Sequence, residues 1–161
     1  MTILALDLGT KTGWAINDEG VIRSGMEDFT PTKYGYRGSR YLDFSAWLCA
    51  IYTLYHFESV YYEMPHMRGR WATEALHGYL AYLYGFLAPH DIDPIAVHSG
   101  TIKKFATGNG KASKEEMIVK AQEFIEIGIP RGKTVRLITD DNEADAICLL
   151  KYAESQLEEE K

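Results

Sequence analysis

Cysteine is scarce in this chain and long apolar runs are missing, and each shortage removes a class of protein. Cys49 and Cys148 are the two cysteines among 161 residues, and they form no C-x-x-C pair. A disulfide framework and a cysteine-ligated zinc site are set aside on that ground. Each thiol lies in an apolar helical context, so both are expected to be reduced and buried. No stretch approaches the roughly 20 apolar residues that span a bilayer. No basic-then-apolar leader with a small-residue cleavage site opens the chain, so a cytoplasmic location is expected, in a host's cytoplasm were the source viral. Basic residues are also in the minority, with 17 Lys and Arg against 23 Asp and Glu. The net charge of −6 argues mildly against nucleic acid as a partner, but the charge is uneven. His98 to Lys114 carries Lys103, Lys104, Lys111 and Lys114 and no acid, and Lys33 to Arg40 carries Lys33, Arg37 and Arg40 and no acid. Local patches of this kind decide phosphate binding more than the total does.

What is present is enough for one domain with a real core, since 46% of the residues are hydrophobic. We expect that domain to occupy residues 1–155, followed by a charged tail over 156–161. The opening stretch Ile3 to Leu8 is apolar throughout except for Asp7, and Gly9, Thr10, Thr12 and Gly13 follow. An unbroken apolar run reads as a strand buried on both faces. Thr12 to Ile16 and Val21 to Met26 read as a hairpin around Asn17-Asp18-Glu19-Gly20. Ser39 to Phe57 and Ala72 to Ala88 carry apolar residues at helical spacing, with a strand at Ser59 to Glu63 between them. A further strand is expected over Ile92 to His98, then a short helix from Ser99 with Ser99 as its N-cap. Ser113 and Glu116 form a capping-box pattern that opens the next helix, which Gly128, Pro130 and Gly132 end. Asp140-Asp141-Asn142 starts the last one. Strands alternating with helical crossovers imply a layered α/β fold with its ligand site at the carboxyl ends of the strands.

Three acids stand out against that frame. Asp7 and Glu63 each end a strand, so both emerge at one sheet edge if those strands are parallel neighbours. Asp145 lies in the apolar run Ala144, Ala146, Ile147, Leu149 and Leu150. Asp141 and Asn142, four and three residues earlier, share its side of a helix. Carboxylates gathered without matching cations repel one another, and a hard divalent ion removes that penalty. Mg²⁺ fits, with Mn²⁺ as the alternative, and two ions about 4 Å apart suit phosphodiester hydrolysis. Plainer readings exist for each residue. Asp7 caps the turn after it, Glu63 is a surface residue at a strand end, and Asp141 is a helix N-cap.

The DNA-facing candidates are basic. Lys103, Lys104, Lys111 and Lys114 surround Gly108 and Gly110, where a glycine backbone approaches phosphate closely. His66, Arg68, Arg70 and Trp71 follow Glu63 directly, offering cations for phosphates and a ring for an unstacked base. Tyr34, Tyr36 and Arg37 form a weaker set of the same kind. The plain readings are a solvated charged loop and a surface loop with one anchoring Trp.

Four segments in order carry a resemblance: Leu6 to Ala15, Tyr62 to Pro65, Gly108 to Lys114, and Glu143 to Ile147. They make the chain similar to the RuvC family of Holliday-junction resolvases, phage-type members included, in the RNase H-like nuclease superfamily. The resemblance implies a mixed five-stranded sheet flanked by helices, a homodimer, and Mg²⁺-dependent nicking of a four-way DNA junction in recombination and repair. It carries catalytic carboxylate roles onto Asp7, Glu63 and Asp145, and places Lys111 or Lys114 near the scissile phosphate. Where the family has Asp or His three residues before its last aspartate, this chain has Asn142. The fourth-ligand role is assigned to Asp141. Competing readings are an RNA-processing nuclease similar to the YqgF group and a junction-binding protein without metal. An ATPase of the sugar-kinase and actin type would need a second phosphate loop, and none appears.

Overall fold

A computed structural model describes residues 1–65, 69–127 and 135–159. The chain runs β1 (Ile3–Asp7), β2 (Lys11–Asp18), β3 (Val21–Asp28), α1 (Ser39–Tyr55), β4 (Ser59–Glu63), α2 (Arg70–Leu87), β5 (Ile95–Val97), α3 (Ser99–Thr107), α4 (Lys114–Ile127) and α5 (Asp141–Glu159). The sheet has five strands in the order β3-β2-β1-β4-β5. β1 pairs antiparallel with β2 and parallel with β4, and β4 pairs parallel with β5. This is the mixed five-stranded α/β architecture expected.

The β2–β3 hairpin closes on Glu19 and Gly20, with φ of 51° and 84°. Two successive left-handed residues make the tight turn whose twist matches its strands, and Gly20 adopts that shape without a Cβ penalty. β5 is shorter than the expected Ile92 to His98. Pro94 has no N–H to give the ladder, so pairing starts after it, at Ile95.

Alternation along the buried strands divides the core in two. Ile3 and Ala5 of β1, Ala15 of β2 and Tyr61 of β4 pack with α3, α4 and α5. Leu4, Leu6, Ile16, Val60 and Tyr62 pack with α1 and α2 on the other face. Among the described residues no helix is long and apolar enough to cross a membrane.

Several local expectations need correction. Cys148 is buried, but Cys49 is exposed on α1, whose apolar residues run round the helix so that Leu42 and Leu54 also face solvent. His98 occupies the N-cap position of α3 and makes no side-chain capping bond, so Ser99 is the first helical residue. α2 starts at Arg70, which puts Arg70 and Trp71 in its first turn instead of in the preceding loop. The capping box holds: Ser113 N–H donates to Glu116 Oε2 at 2.7 Å, and Glu116 N–H to Ser113 Oγ at 3.2 Å. The helix stop at Gly128, Pro130 and Gly132 lies outside the described residues. α5 continues to Glu159, into the stretch expected as a charged tail.

Candidate active site

The face on which each acid lies follows from strand parity. Asp7 is two residues beyond Ala5, and Glu63 two beyond Tyr61, so both continue the row that faces α5. Leu6 pairs with Tyr62 across the parallel ladder, so the two acids that follow leave the sheet side by side. On its other side Asp7 pairs with Gly13 of β2.

Gly13 fixes how α5 arrives. A Cβ on Gly13 would stand 1.9 Å from the Asn142 carbonyl oxygen and 2.8 Å from Glu143 N. The first turn of α5 therefore rests on bare backbone next to Asp7, a contact that any side chain would forbid. Ala144 and Ala146 continue the close seat. With α5 held this near, Asp145 joins the electrostatic environment of Asp7 and Glu63.

The proton affinities report that convergence. Burial raises the Asp7 carboxyl well above the usual carboxylate range, and the charges of Glu63, Asp145, Asp141 and Asp140 raise it further. The Asp145 carboxyl is pushed up to about 7, first by burial and then by Glu63, with Asp141 adding to the shift. Lys103 and Lys114 pull it back down. Asp141 moves the other way, held low mainly by its hydrogen bond from Lys114 Nζ, an ion pair between α4 and α5.

Asp7 does not cap the turn after it. Thr12 does: its hydroxyl donates to the Gly9 carbonyl at 2.7 Å and accepts from Gly9 N–H at 3.3 Å. Asp140, one residue before α5, is the N-cap there, accepting from Glu143 N–H at 2.9 Å. Asp141 is thus left for Lys114.

Glu143 was missed as a site residue by the sequence reading. It is 3% exposed, yet it is a carboxylate. Arg136 grips it with both Nη atoms, and Ser24 Oγ of β3 donates to its Oε1 at 2.8 Å. Arg136 Nη2 also donates to the Ser24 carbonyl at 3.1 Å. This cluster ties the first turn of α5 to the antiparallel side of the sheet. The available signal was a second acid in the same apolar run as Asp145.

The basic candidates divide. Lys103 and Lys114 act on Asp145, from α3 and α4. Lys104 and Lys111 are exposed on the same segment, where Asn109 Oδ1 accepts from Lys111 N–H at 3.0 Å and shapes the glycine turn. Arg70 and Trp71 are exposed at the start of α2. His66 and Arg68 lie outside the described residues.

The donor set matches what a hard divalent ion takes, since Asp7, Glu63 and Asp145 offer carboxylate oxygens under mutual repulsion. As the side chains stand, no group of three His, Cys, Asp or Glu among the described residues closes to the spacing that would hold one ion. The fit therefore rests on donor chemistry and the shared field.

No protein-family model and no curated protein matches the sequence. Solved structures do match the fold. RuvC of Thermus thermophilus in complex with a Holliday junction substrate aligns over 97% of this chain and 96% of its own, with TM-score 0.77 and 16% identity. The yeast mitochondrial Holliday junction resolvase Ydc2 aligns over 98% and 80%, with TM-score 0.66 and 14% identity. Fowlpox virus resolvase, solved with its Holliday junction DNA, aligns over 98% and 99%, with TM-score 0.55 and 17% identity. The chain has the RuvC-like, RNase H-like fold.

Proposed function

We propose that the chain is a structure-selective endodeoxyribonuclease that resolves four-way DNA junctions by metal-dependent phosphodiester hydrolysis. One observation carries the reading. Asp7, Glu63 and Asp145 come from two neighbouring strands and a helix, and they share one electrostatic field at a single sheet edge. That they do so on a fold also adopted by RuvC bound to a Holliday junction supports the same conclusion.

Asp7, Glu63 and Asp145 are the residues that would hold the divalent ions, Mg²⁺ or Mn²⁺, with Asp141 as fourth ligand in preference to the neutral Asn142. Two such ions would supply an activated water and stabilisation of the leaving oxygen. The protein's own groups do the rest. Asp7 ends β1 beside Gly13 and the first turn of α5, which fixes where its carboxylate stands. Lys114, shared between Asp141 and the field of Asp145, offers a cation for charge on the scissile phosphate. Lys103, Lys104 and Lys111 continue that positive edge along the backbone of a bound strand, and Arg70 and Trp71, with His66 and Arg68, serve the branch point. A second copy related by a twofold axis matches a substrate with two equivalent strands, so we assign a homodimer.

Nicking of a synthetic four-way junction in Mg²⁺ tests this. Wild type should cut it and leave a linear duplex of the same sequence intact. Asp7→Asn and Glu63→Gln should bind the junction with near wild-type affinity and not cut it. Mg²⁺ should raise the melting temperature of wild type but not of Asp7→Asn. The reading fails if either variant cuts normally.

A second reading has its own support. Asp141 is engaged by Lys114, and the residue next to it is a neutral Asn, which together describe a centre that binds junctions without cutting. Junction binding by wild type with no cleavage in Mg²⁺ or Mn²⁺ selects it.

A further inference from the structure

Away from the carboxylate edge, a groove of about 520 Å³ opens between the first turns of α1 and α2. Arg37, Arg40 and Tyr41 form its α1 wall, and Trp71, Glu74 and Ala75 its α2 wall. We propose that this groove is a second DNA subsite that holds one unpaired strand leading away from the carboxylate centre. Arg37 and Arg40 take its phosphates and Trp71 a base. The proposal rests on the reading that branched DNA is the substrate, and it adds where a strand freed at the branch goes.

Trp71 is the first support. It is 65% exposed, which is not how a tryptophan that anchors a loop behaves. The Arg37 guanidinium lies 5.0 Å from the centre of its ring and that of Arg70 5.9 Å. Two cations over one open indole make a positive stacking platform in water, the combination that holds nucleic-acid strands without base pairing.

The second support is where the groove leads. Arg40 Nη1 stands 3.5 Å from Thr10 Oγ1, in the turn that leaves Asp7, and Arg40 Nε donates to the Arg37 carbonyl at 3.0 Å. The groove therefore leads to the turn that follows β1, on the α1 and α2 side of the sheet. Outward from it, the chain from Thr30 to Arg40 has no acid, and Tyr34 and Tyr36 are 89% and 88% exposed. Alternating cations and rings continue the same surface, with Lys33 Nζ 5.5 Å from the Tyr34 ring.

The third is size and charge. The volume of about 520 Å³ suits a ligand of nucleotide size. In a duplex the base faces are already stacked, so Trp71 has a partner only in an unpaired strand. Glu74 repels phosphate from the α2 wall, which assigns the phosphates to the α1 wall.

The test is fluorescence anisotropy of a labelled 12-nucleotide oligothymidine with the whole chain in EDTA, so that cleavage plays no part. Trp71→Ala and Arg37→Ala should each weaken binding about tenfold. Trp71→Phe should restore most of the loss, since a phenyl ring also offers a stacking face. Glu74→Gln should tighten binding two- to fivefold, and affinity for a 12-base-pair duplex should ignore Trp71→Ala. Wild-type affinity in both the Trp71→Ala and Arg37→Ala variants overturns the subsite. So does an equal loss on the duplex, or displacement of the oligonucleotide by polyglutamate at matched charge. The two readings separate cleanly. Metal-dependent nicking with unaffected Trp71 and Arg37 variants sinks the groove alone, and strand binding without nicking sinks the nuclease alone.

Discussion

The two faces of the sheet are built from different residues, and the difference tells what each is for. Toward α1 and α2 the core is thick and aromatic. Phe29, Phe44, Trp47 and Tyr79 pack edge to face and stacked, with Trp14 of β2 beneath Trp47. Toward α5 the core is thin: Ala5, Ala15, Ala144, Ala146 and Ala153 are all fully buried. Large rings bury most area per residue and dominate stability. Small residues bury less but let backbones approach, and that approach brings Asp145 to Asp7. One face holds the fold together, and the other sets positions.

The widest break between them comes from one substitution on each side. Asp145→Asn should lower junction nicking on the order of 10³-fold, as removal of a key electrostatic group does, while melting no lower than wild type. Phe44→Ala, at a fully buried site, should cost about 4 kcal/mol of stability. Its folded fraction should still nick normally. Paired unfolding curves and single-turnover cleavage check both halves. A Phe44→Ala protein that stays as stable as wild type would remove the division of labour.

The same small change placed on each face sharpens the contrast. An added methyl at Gly13 meets the backbone of Asn142, at 1.9 Å from its oxygen, so α5 has to lift. An added methyl at Gly25 meets Trp14 Nε1 at 2.9 Å, the edge of a ring that can tilt. That ring nitrogen is buried without a hydrogen-bond partner, so tilting it breaks no bond. Gly13→Ala should therefore cost about 2 to 3 kcal/mol and more than tenfold in nicking. Gly25→Ala should stay within about 1 kcal/mol, with nicking intact. Equal effects on nicking would show that the close seat of α5 does not position the acids.

This unevenness also explains what could be read from the chain alone. β1 was legible because a continuous apolar run marks a strand buried on both faces, β4 because Val60, Tyr61 and Tyr62 are β-branched and aromatic, and an acid closing each located the edge. Asp145 was legible as an acid among alanines and leucines. The strand glycine at Gly13 carried a usable signal too, since glycine inside a strand marks close backbone approach. Glu143 was not read because its partners are 7 and 119 residues away, and periodicity cannot tell which of two acids in one apolar run faces β3. Cys49 was misplaced for a related reason: α1 is apolar nearly all round, so its pattern does not say which side is wet. The turn after Asp7 held both an Asp and a Thr able to cap it, and only the fold decides for Thr12.

The smallest effect probes the positional face without any DNA. In the metal-free protein the Asp145 carboxyl titrates near 7 when folded, against about 3.9 in an unfolded chain. Between those values the folded state binds the extra proton, so the slope of stability against pH is negative there. Stability carried by the protonated group is full below about pH 4 and gone above about pH 7. Buried Asp7 acts in the same direction, while Asp141, held low by Lys114, acts in the opposite one and favours the folded state above its unfolded value. The difference between wild type and Asp145→Asn isolates the one group. In EDTA, wild type should lose about 2 kcal/mol relative to Asp145→Asn between pH 5 and pH 8, read from urea midpoints at fixed salt. Millimolar Mg²⁺ should shrink that gap at pH 8, since the ion replaces the proton. A gap that stays constant with pH would mean that Asp145 meets water freely and that the α5 face is not drawn in upon Asp7.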